Sequence, residues 1–234
     1  MSDTFARDPV EGHTAKAVDH ALTELRTQVV AMGGLVIDQV ATAMRALLDG
    51  DSDLANLVLL REGRVNQLDR NADHDAFELI ALRQLVAGDL RFAKAISRIA
   101  VELERVGDEA KKIARFAARL VAGEPHGPVV AAARNLRHMA DLSAGMLRNA
   151  VRSFDEADAQ LARSVAQSDT ELDEEFASAL RQVFTLVMEG EPYLRATIDT
   201  VFALKGLERI GDHAKNIAEQ VLFMISGEDV RHRH

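Results

Sequence analysis

The most informative absence in this 234-residue sequence is cysteine, of which there is none. Without cysteine the chain forms no disulfide, no thiolate zinc site and no iron–sulfur cluster, and it has no cysteine nucleophile. This composition fits a protein of a reducing compartment, so a cytoplasmic location is expected.

An excess of positive charge is also missing. The chain has 28 Lys and Arg against 37 Asp and Glu, a formal net charge of −9 and a pI near 5.4. A general nucleic-acid binder needs a basic surface to neutralise phosphates, so this balance argues against that class. With 47% hydrophobic residues, the composition is that of a soluble globular protein of one or two domains with a sizeable core.

Signals for membranes and for catalysis are lacking as well. No apolar run approaches the roughly 18 residues of a membrane span, and the N-terminus has no apolar signal core. Any membrane association is therefore expected to go through a protein partner. The sequence contains no glycine-rich phosphate loop, nucleophile elbow, HExxH motif or Glu-x-x-His of ferritin-like di-iron bundles. We expect a protein that is not an enzyme.

The strongest positive feature is an internal repeat. Residues 103–114 read LERVGDEAKKIA and residues 207–218 read LERIGDHAKNIA, with nine of the twelve positions identical. The first glutamates of the two motifs lie 208 − 104 = 104 residues apart. A period this long predicts two copies of a domain-sized unit. Extended back without a gap, the same offset pairs Leu68-Asp69 with Leu172-Asp173, and Asp51 with Asp155.

Apolar residues recur every three or four positions along most of the chain, which predicts amphipathic helices and no strands. We expect an all-α fold of six long helices, arranged as two tandem antiparallel three-helix bundles. Stop signals separate the helices, for example residues 49–52 (DGDS), where Gly supplies a helix end and Asp or Ser an N-cap. The predicted division is a loose tail over 1–13, a first repeat over 14–122, a linker over 123–128, a second repeat over 129–227 and a tail over 228–234.

Each repeated motif carries two acids one helical turn apart. Glu104 and Asp108 in the first copy, and Glu208 and Asp212 in the second, fall on the helix face opposite the apolar sector. Carboxylates at this spacing can converge on one ion, and oxygen ligands suit Mg²⁺, Mn²⁺, Fe or Ca²⁺. The preceding helices add pairs at the same spacing, so each bundle could gather four carboxylates around a cation or basic side chains; these pairs are Asp69 and Asp73, and Asp169 and Asp173.

The alternative for these acids is a solvated surface that binds nothing. Asp108 and Lys112 could form a surface ion pair, which is worth only a few tenths of a kcal/mol. Asn216 extends the second motif as a further candidate ligand, but the first copy has Lys112 in that place. Because an ammonium repels a metal ion, the first site is expected to be the weaker. His213 lies about 100° from Asp212 around the helix and is expected on the surface.

Gly107 and Gly211 lie at the centres of the two motifs, where a mid-helix glycine costs about 1 kcal/mol relative to alanine. One interpretation is that the missing side chain allows a neighbouring helix, or a ligand, to approach the acidic face. The other is tight core packing alone. The two interpretations are compatible with each other.

The pattern ERxGDxxxNIAE closes a long helix at residues 208–219 and recurs at residues 104–115 with Lys112 and Arg115 in place of its Asn and last Glu; it resembles the PhoU family of phosphate-uptake regulators. The likeness includes the turn at residues 87–91 (AGDLR) and the closing segment 227–232 (GEDVRH), and extends over nearly the whole chain from about Leu22. The resemblance implies a cytoplasmic homodimer that represses phosphate-starvation signalling and restrains phosphate uptake. The partners it implies are the ATPase subunit of the phosphate transporter and a membrane sensor histidine kinase. It also implies iron or zinc clusters on the E/DxxxD motifs.

Three functions remain open at this point. The resemblance favours a non-catalytic adaptor between the transporter and the kinase. A carboxylate-bridged metalloenzyme would need a redox metal and histidines directed into the bundle core, and a purely structural scaffold would bind no metal. Because the repeated acids lie on a face that the core does not need, the adaptor is the expected function and the metalloenzyme is its alternative.

Overall fold

The part of the chain that the structure describes folds into six long α-helices. The computed structural model describes residues 9–83, 85, 87–121, 127–188 and 194–227, and these residues contain no β-strand. The all-α class that the apolar periodicity predicts is therefore confirmed. The helices are α1 (Pro9–Asp49), α2 (Ser52–Leu82), α3 (Ala87–Val121), α4 (Gly127–Glu156), α5 (Ala159–Met188) and α6 (Leu194–Ser226).

The first helix ends and the second begins at the predicted stop. Gly50 has a φ of +67°, the left-handed conformation that commonly closes a helix. Asp51 Oδ1 accepts hydrogen bonds from the backbone N–H groups of Asp53 and Leu54 at 2.9 and 3.0 Å. The carboxylate thus satisfies two of the N–H groups that a helix start leaves without partners.

The corresponding turn of the second repeat is built in the same way. Asp158 Oδ1 accepts hydrogen bonds from the N–H groups of Gln160 and Leu161 at 2.8 and 3.0 Å. The residue before it is Ala157, whose φ of +51° places it in the left-handed conformation that Gly50 has in the first repeat. An alanine here carries a steric cost that glycine avoids.

The two repeats form three-helix bundles that share one hydrophobic core. In the first repeat α3 packs against α1 and α2, and in the second α6 packs against α4 and α5. The bundles join through α3 with α6 and α1 with α4, which leaves α2 and α5 on the outer flanks. Buried side chains from all six helices belong to a single cluster. The predicted pair of bundles is confirmed, and the structure adds that they are fused.

The central helices α3 and α6 run antiparallel. Near one end of the pair, Arg98 Nη1 lies 3.5 Å from Gln220 Oε1, and near the other end Arg119 Nη2 lies 2.5 Å from Asp199 Oδ1. The two repeats are therefore related by an approximate twofold rotation. It places the N-terminal ends of α3 and α6 at opposite ends of the molecule.

Burial shows that the repeat offset is not uniform. In α3 and α6 the buried residues correspond at the predicted offset of 104, as for Leu103 and Leu207 (207 − 103 = 104). In the first two helices of each repeat they correspond at 107. The pairs include Leu47 and Phe154 (154 − 47 = 107), Ala55 and Ala162 (162 − 55 = 107), Val65 and Leu172 (172 − 65 = 107), and Ala72 and Ala179 (179 − 72 = 107).

The gapless offset of 104 is therefore wrong for α2 and α5. Asp51 corresponds to the capping residue Asp158 (158 − 51 = 107) and not to Asp155. The two Leu-Asp dipeptides that suggested the offset are alike in sequence but do not occupy equivalent places. Equivalence is set by which residues face the core, and a three-residue shift moves each position by almost one turn along the helix and by about 60° around it.

The starts of α1 and α4 bear on two of the predicted segment boundaries. α1 begins at Pro9, so the loose tail predicted over 1–13 is wrong from that residue on, and 1–8 lie outside the described residues. In the predicted linker, Gly127 and Pro128 already belong to α4, and 123–126 lie outside the described residues. The predicted tail over 228–234 lies outside them as well. The division into two repeats at this linker stays a prediction.

α1 is more apolar than expected. By length and composition, residues 16–49 could cross a membrane, contrary to the expectation that no run would qualify. However, 56% of the most apolar window is buried inside the fold, where α1 packs against α2, α3 and α4. A helix buried among others is apolar for that reason, so this composition fits a core helix.

Gly107 and Gly211 lie where neighbouring helices approach most closely. A β-carbon on Gly107 would lie 3.2 Å from Val65 Cγ1 of α2, and one on Gly211 would lie 2.2 Å from Leu172 Cδ2 of α5. Val65 and Leu172 are equivalent residues, so the same close crossing recurs in both repeats. Each glycine thus admits a neighbouring helix beside the acidic residues, and the packing there is tight.

Candidate metal centres

The first acidic cluster lies where α2 meets α3. We define it as Glu62 and Asp69 of α2 with Glu104 and Asp108 of α3. Burial raises the pKa of the Glu104 carboxyl, and the negative charges of Asp108, Asp69 and Glu62 raise it further, against the opposing charge of Arg105. These four carboxylates therefore share one region of negative potential.

Lys111 of α3 brings a positive charge into the first acidic cluster. Its ammonium pairs with Glu62 across the boundary between α2 and α3 and lies 3.7 Å from Asp108 Oδ1 on its own helix. The hydrogen bond from Lys111 is the strongest influence on Glu62 and lowers the pKa of its carboxyl. Asn66 Nδ2 donates a further hydrogen bond to Glu62 Oε1 at 3.0 Å.

Lys112, whose charge was expected to weaken the first site, points away from it. Its ammonium lies 2.8 Å from Glu109 Oε1, and Arg209 of α6 pairs with the same oxygen at 2.8 Å. The predicted ion pair between Asp108 and Lys112 is therefore wrong. The lysine that contacts Asp108 is Lys111.

Of the two α2 acids predicted as ligands, Asp69 belongs to the cluster and Asp73 is displaced from it. Asp69 Oδ1 is buried and has no hydrogen-bond partner among the described residues. Burial raises the pKa of the Asp69 carboxyl, and the charge of Asp73 adds to this. Asp73 accepts a hydrogen bond from Ser97 Oγ, which lies about two helical turns before Glu104 on α3.

The second acidic cluster lies where α5 meets α6. It consists of Asp169 and Asp173 of α5 with Glu208 and Asp212 of α6. Burial raises the pKa of the Asp212 carboxyl, and Glu208, Asp169 and Asp173 raise it further, whereas Lys205 acts in the opposite sense. The structure thus brings together the four acids that the sequence predicted for this bundle.

Two lysines pair with the second acidic cluster. Lys215 Nζ lies 2.5 Å from Asp169 Oδ2, and Lys205 Nζ lies 2.5 Å from Glu208 Oε1. The hydrogen bond with Asp169 raises the pKa of Lys215. Glu208 is less accessible than expected, because its side chain is only 13% exposed. Its Oε2 is buried with no hydrogen-bond partner in the part of the chain that the structure describes.

The two clusters are built on equivalent positions. Glu62 corresponds to Asp169 (169 − 62 = 107), and Lys111 corresponds to Lys215 (215 − 111 = 104). The ion pair between the third helix and the second helix of the repeat therefore recurs. The gapless offset of 104 did not reveal this recurrence, because it aligned other residues of α2 and α5 with each other.

The sequence reasoning missed Glu62 and Asn66. Because Asp69 was set opposite Asp173, the true counterpart of Asp173 was overlooked; it is Asn66 (173 − 66 = 107). The signal that could have found both is the spacing of the apolar α2 residues around Val65, which repeats in α5 only at the offset of 107.

Asn216 and His213 lie at the junction of the two repeats. Asn216 Nδ2 donates to Glu102 Oε2 at 3.1 Å, and His213 Nδ1 lies 2.7 Å from the same oxygen. Burial raises the pKa of Glu102, but the contacts with His213 and Asn216 outweigh it and hold that pKa below its usual value. Asn216 is thus engaged with α3, away from the acidic cluster for which it was predicted.

The prediction that His213 lies on the surface is wrong. Its side chain is only 13% exposed, because α3 packs against this face of α6. A helical wheel of one helix separates its apolar face from its polar face. It does not show which polar residues a second helix covers.

Both clusters have donor chemistry that fits a divalent cation. Carboxylate oxygens are hard ligands, and burial and mutual repulsion, which raise the pKa of Glu104 and Asp212, disfavour the ionised acids in a way that a cation would offset. The buried Asp69 Oδ1 and Glu208 Oε2, which lack partners among the described residues, are acceptors placed at the two clusters.

The acids of the two clusters are not drawn together tightly. Among the described residues, the one group of three ligating side chains with atoms within 4.8 Å of one another is His74, Asp75 and Glu78, near the end of α2. His74 and Glu78 are exposed, and such surface groups are common without a metal. In the two acidic clusters, side chains would have to rotate to reach one ion.

The same repeat is found in known proteins. The family model described as the PhoU domain matches residues 29–117 and again residues 136–221. A phosphate-specific transport system accessory protein PhoU homolog from Pseudomonas putida is 42% identical over 228 residues, which cover 97% of this chain and 87% of that protein. The homolog from Pseudomonas aeruginosa is 41% identical over 228 residues, covering 97% of this chain and 92% of that protein.

Solved structures share the fold as well. The crystal structure of PhoU from Pseudomonas aeruginosa matches with a TM-score of 0.84 and 41% identity, covering 90% of this chain and 99% of that one. The phosphate transport system regulatory protein PhoU from Streptococcus pneumoniae matches with a TM-score of 0.82 and 27% identity, covering 91% and 99%. The similarity therefore includes both repeats.

Proposed function

Because the chain belongs to the PhoU domain family, we propose that it is a regulatory accessory protein of a phosphate-specific transport system. The observation that carries the proposal is 42% identity to a protein named for that role, over 97% of this chain. The role is to restrain phosphate uptake and phosphate-starvation signalling through contacts with other proteins.

The finer proposal is an adaptor between the ATPase subunit of the phosphate transporter and the sensor histidine kinase. The adaptor binds these partners differently when the transporter is loaded, and so biases the kinase toward its phosphatase state. It works as a cytoplasmic homodimer that its partners recruit to the inner face of the membrane. Six helices in one shared core support this role, because a close-packed interior holds its outer surfaces in a fixed shape.

Exposed apolar side chains supply contact points for partners. Phe77 of α2 is 70% exposed and Phe184 of α5 is 60% exposed, and the two are equivalent residues (184 − 77 = 107). The twofold relation of the repeats sets them at opposite ends of the molecule. Large exposed aromatic residues at equivalent places are typical of surfaces that bind protein.

The acidic clusters are proposed to hold a metal, with iron or zinc as the first candidates and Mg²⁺ or Mn²⁺ as others that suit oxygen ligands. In the first cluster the ligands would come from Glu62, Asp69, Glu104 and Asp108, and in the second from Asp169, Asp173, Glu208 and Asp212. A bound cation neutralises the acids and ties together the two helices that carry them. The acidic residues place negative charge along α2 and α5, on the outer flanks of the molecule that we propose to face the partners.

A pull-down tests the adaptor proposal. The sensor domain of the kinase and the transporter ATPase subunit are each immobilised, with and without ATP, and probed with the untagged protein. We expect both to retain it, and Phe77→Asp or Phe184→Asp to weaken retention. Leu60→Asp is the matched control, because Leu60 is 81% exposed on α2 and has no exposed apolar equivalent at Gln167. Failure of both partners to bind in every nucleotide state would contradict the proposal.

The metalloenzyme alternative gains no support from the site. Such a centre needs histidine ligands beside its carboxylates, whereas His213 is engaged with Glu102 at the junction of the repeats. A purely structural scaffold would leave regulation intact in Glu208→Ala with Asp212→Ala. We expect that double variant to lose regulation instead.

A further inference from the structure

We propose that Lys111 and Lys215 are resident counter-ions, which compete with a divalent cation for the two acidic clusters. The inference rests on the proposed function only in treating these clusters as cation sites. It adds the residues that control when a cation binds.

The two lysines link the same pairs of helices that a cation held by both helices would link. Each extends from the third helix of its repeat to a carboxylate on the second, Lys111 to Glu62 and Lys215 to Asp169. Lys111 also lies 3.7 Å from Asp108 Oδ1, so its ammonium contacts acids of both helices. The ammonium thus links α2 to α3 in the way that a metal with ligands on both helices would.

These contacts are sheltered from water. The side chains of Lys111 and Glu62 are each 19% exposed, and those of Lys215 and Asp169 are 30% and 11% exposed. Partly buried charge pairs are screened less than exposed ones, so the ammonium is a stronger competitor than a surface lysine would be.

The neighbouring lysines do not share this arrangement. Lys112 pairs with Glu109, and the equivalent of Lys112 in the second repeat is Asn216 (216 − 112 = 104). Lys205 pairs with Glu208 on its own helix, and its equivalent in the first repeat is Val101 (205 − 101 = 104). Among the lysines that the structure describes, Lys111 and Lys215 alone occupy equivalent positions and pair with an acid of the second helix.

The physical consequence is that the lysine lowers the affinity of each cluster for a divalent cation. A divalent ion entering either cluster must displace the ammonium from its carboxylate or bind beside a positive charge. At about 4 Å, one unit charge acting on a divalent ion changes binding by roughly tenfold to a hundredfold, even when largely screened by water. Occupancy of the clusters would then follow changes in the concentration of free cation instead of remaining saturated.

Titration of the metal-free protein with Mn²⁺, followed by calorimetry and by the Mn²⁺ EPR signal, tests the inference. We expect Lys111→Gln and Lys215→Gln each to tighten binding at one cluster by about tenfold or more. Lys112→Gln is the matched control, since it removes the same charge from the adjacent residue, and we expect it to leave the affinity close to that of the wild type. Lys215→Arg keeps the positive charge, so its affinity for Mn²⁺ should remain as weak as that of the wild type.

The outcomes separate the inference from the proposed metal sites. If the wild type binds Mn²⁺ and both glutamine variants bind no more tightly than Lys112→Gln, the counter-ion role is overturned while the cation sites remain. If no variant binds Mn²⁺ or Zn²⁺, the cation sites themselves are wrong and the inference falls with them. Circular dichroism of each variant confirms the fold, and Mn²⁺ should raise the Tm of the glutamine variants more than that of the wild type.

Discussion

Leu172 of α5 fills the space beside Gly211 of α6, so that a β-carbon on Gly211 would lie 2.2 Å from Leu172 Cδ2. Leu172 is only 1% exposed, and its side chain cannot turn without disturbing the core around it. The equivalent contact in the first repeat is looser, because a β-carbon on Gly107 would lie 3.2 Å from Val65 Cγ1. The second repeat therefore depends more strongly on its motif glycine.

Gly211→Ala should lower the free energy of unfolding by about 1–3 kcal/mol, the usual cost of overpacking a core. Gly107→Ala is the matched control. Its smaller clash is largely offset by the gain of about 1 kcal/mol in helix propensity, so we expect a change near zero. Urea denaturation measures both, and equal effects of the two substitutions would contradict the difference in packing.

Ala157→Gly should stabilise the protein. Ala157 has a φ of +51°, and the left-handed conformation costs an L-residue about 1–2 kcal/mol, part of which glycine loses again through its greater freedom in the unfolded chain. We expect a net gain of about 0.5–1 kcal/mol, seen as a higher Tm in thermal unfolding. Gly50→Ala, at the equivalent turn, should shift the Tm down; a fall in Tm for Ala157→Gly would show that the turn does not limit stability.

The architecture was predictable because apolar spacing and caps are local signals. The period of the apolar residues predicts six helices, and Gly50 with Asp51 marks a boundary that the structure reproduces. Which residue of α2 is equivalent to which residue of α5 could not be predicted, because this depends on which residues face the core. Two similar Leu-Asp dipeptides supported a wrong offset, and only burial shows that Val65 and Leu172 correspond.

The site was predictable to the extent that it lies on one helix. Glu104 with Asp108, and Glu208 with Asp212, follow from i,i+4 spacing within α3 and α6. Contacts between different helices could not be predicted from the sequence. The packing of α3 on α6 covers His213 and Asn216, and the approach of α2 adds Glu62 to the first cluster.

Asp212→Asn should stabilise the protein at neutral pH. The raised pKa of Asp212 means that the folded protein binds this proton more tightly than the unfolded chain, whose model value is 3.8. Ionised Asp212 therefore destabilises the fold above its folded-state pKa, and this cost is relieved as the pH falls toward 3.8. The gain at pH 7 should be below about 1 kcal/mol, since Asp212 is exposed, and should vanish on acidification.

Thermal unfolding of Asp212→Asn from pH 7 down to about pH 3.5 measures this dependence. Asp141→Asn on α4 is the control, because Asp141 is also exposed but lies outside the cluster. A gain in Tm that stays constant with pH, or one shared by Asp141→Asn, would mean that repulsion within the cluster is not its cause.

Glu102→Gln should destabilise the protein at neutral pH, which is the opposite of the effect expected for Asp212→Asn. The lowered pKa of Glu102 means that its ionised form stabilises the fold at pH above the unfolded value near 4.5, and that this contribution is lost as the pH falls through the folded-state pKa. Loss of the charge-assisted contacts with His213 and Asn216 should cost about 1–3 kcal/mol at pH 7. Chemical denaturation at pH 7 and at low pH measures it, with exposed Glu174→Gln as the control; equal destabilisation at both pH values would argue against an electrostatic role.

The offset of 107 between α2 and α5 leads to a prediction for metal binding. Glu62 occupies the position of Asp169 and acts on Glu104, whereas Asp73 is bound to Ser97 about two turns away on α3. In a background where Glu208→Gln and Asp212→Asn disable the second cluster, Glu62→Gln should weaken Mn²⁺ binding by about tenfold, since one full charge is removed beside the ion. Asp73→Asn, which removes the same charge from the same helix but acts on the cluster only through Asp69, should change the calorimetric affinity much less. The reverse result would restore the alignment of Asp69 with Asp173 and place the first site one to two turns further along α2, because only then would Asp73 face the ion.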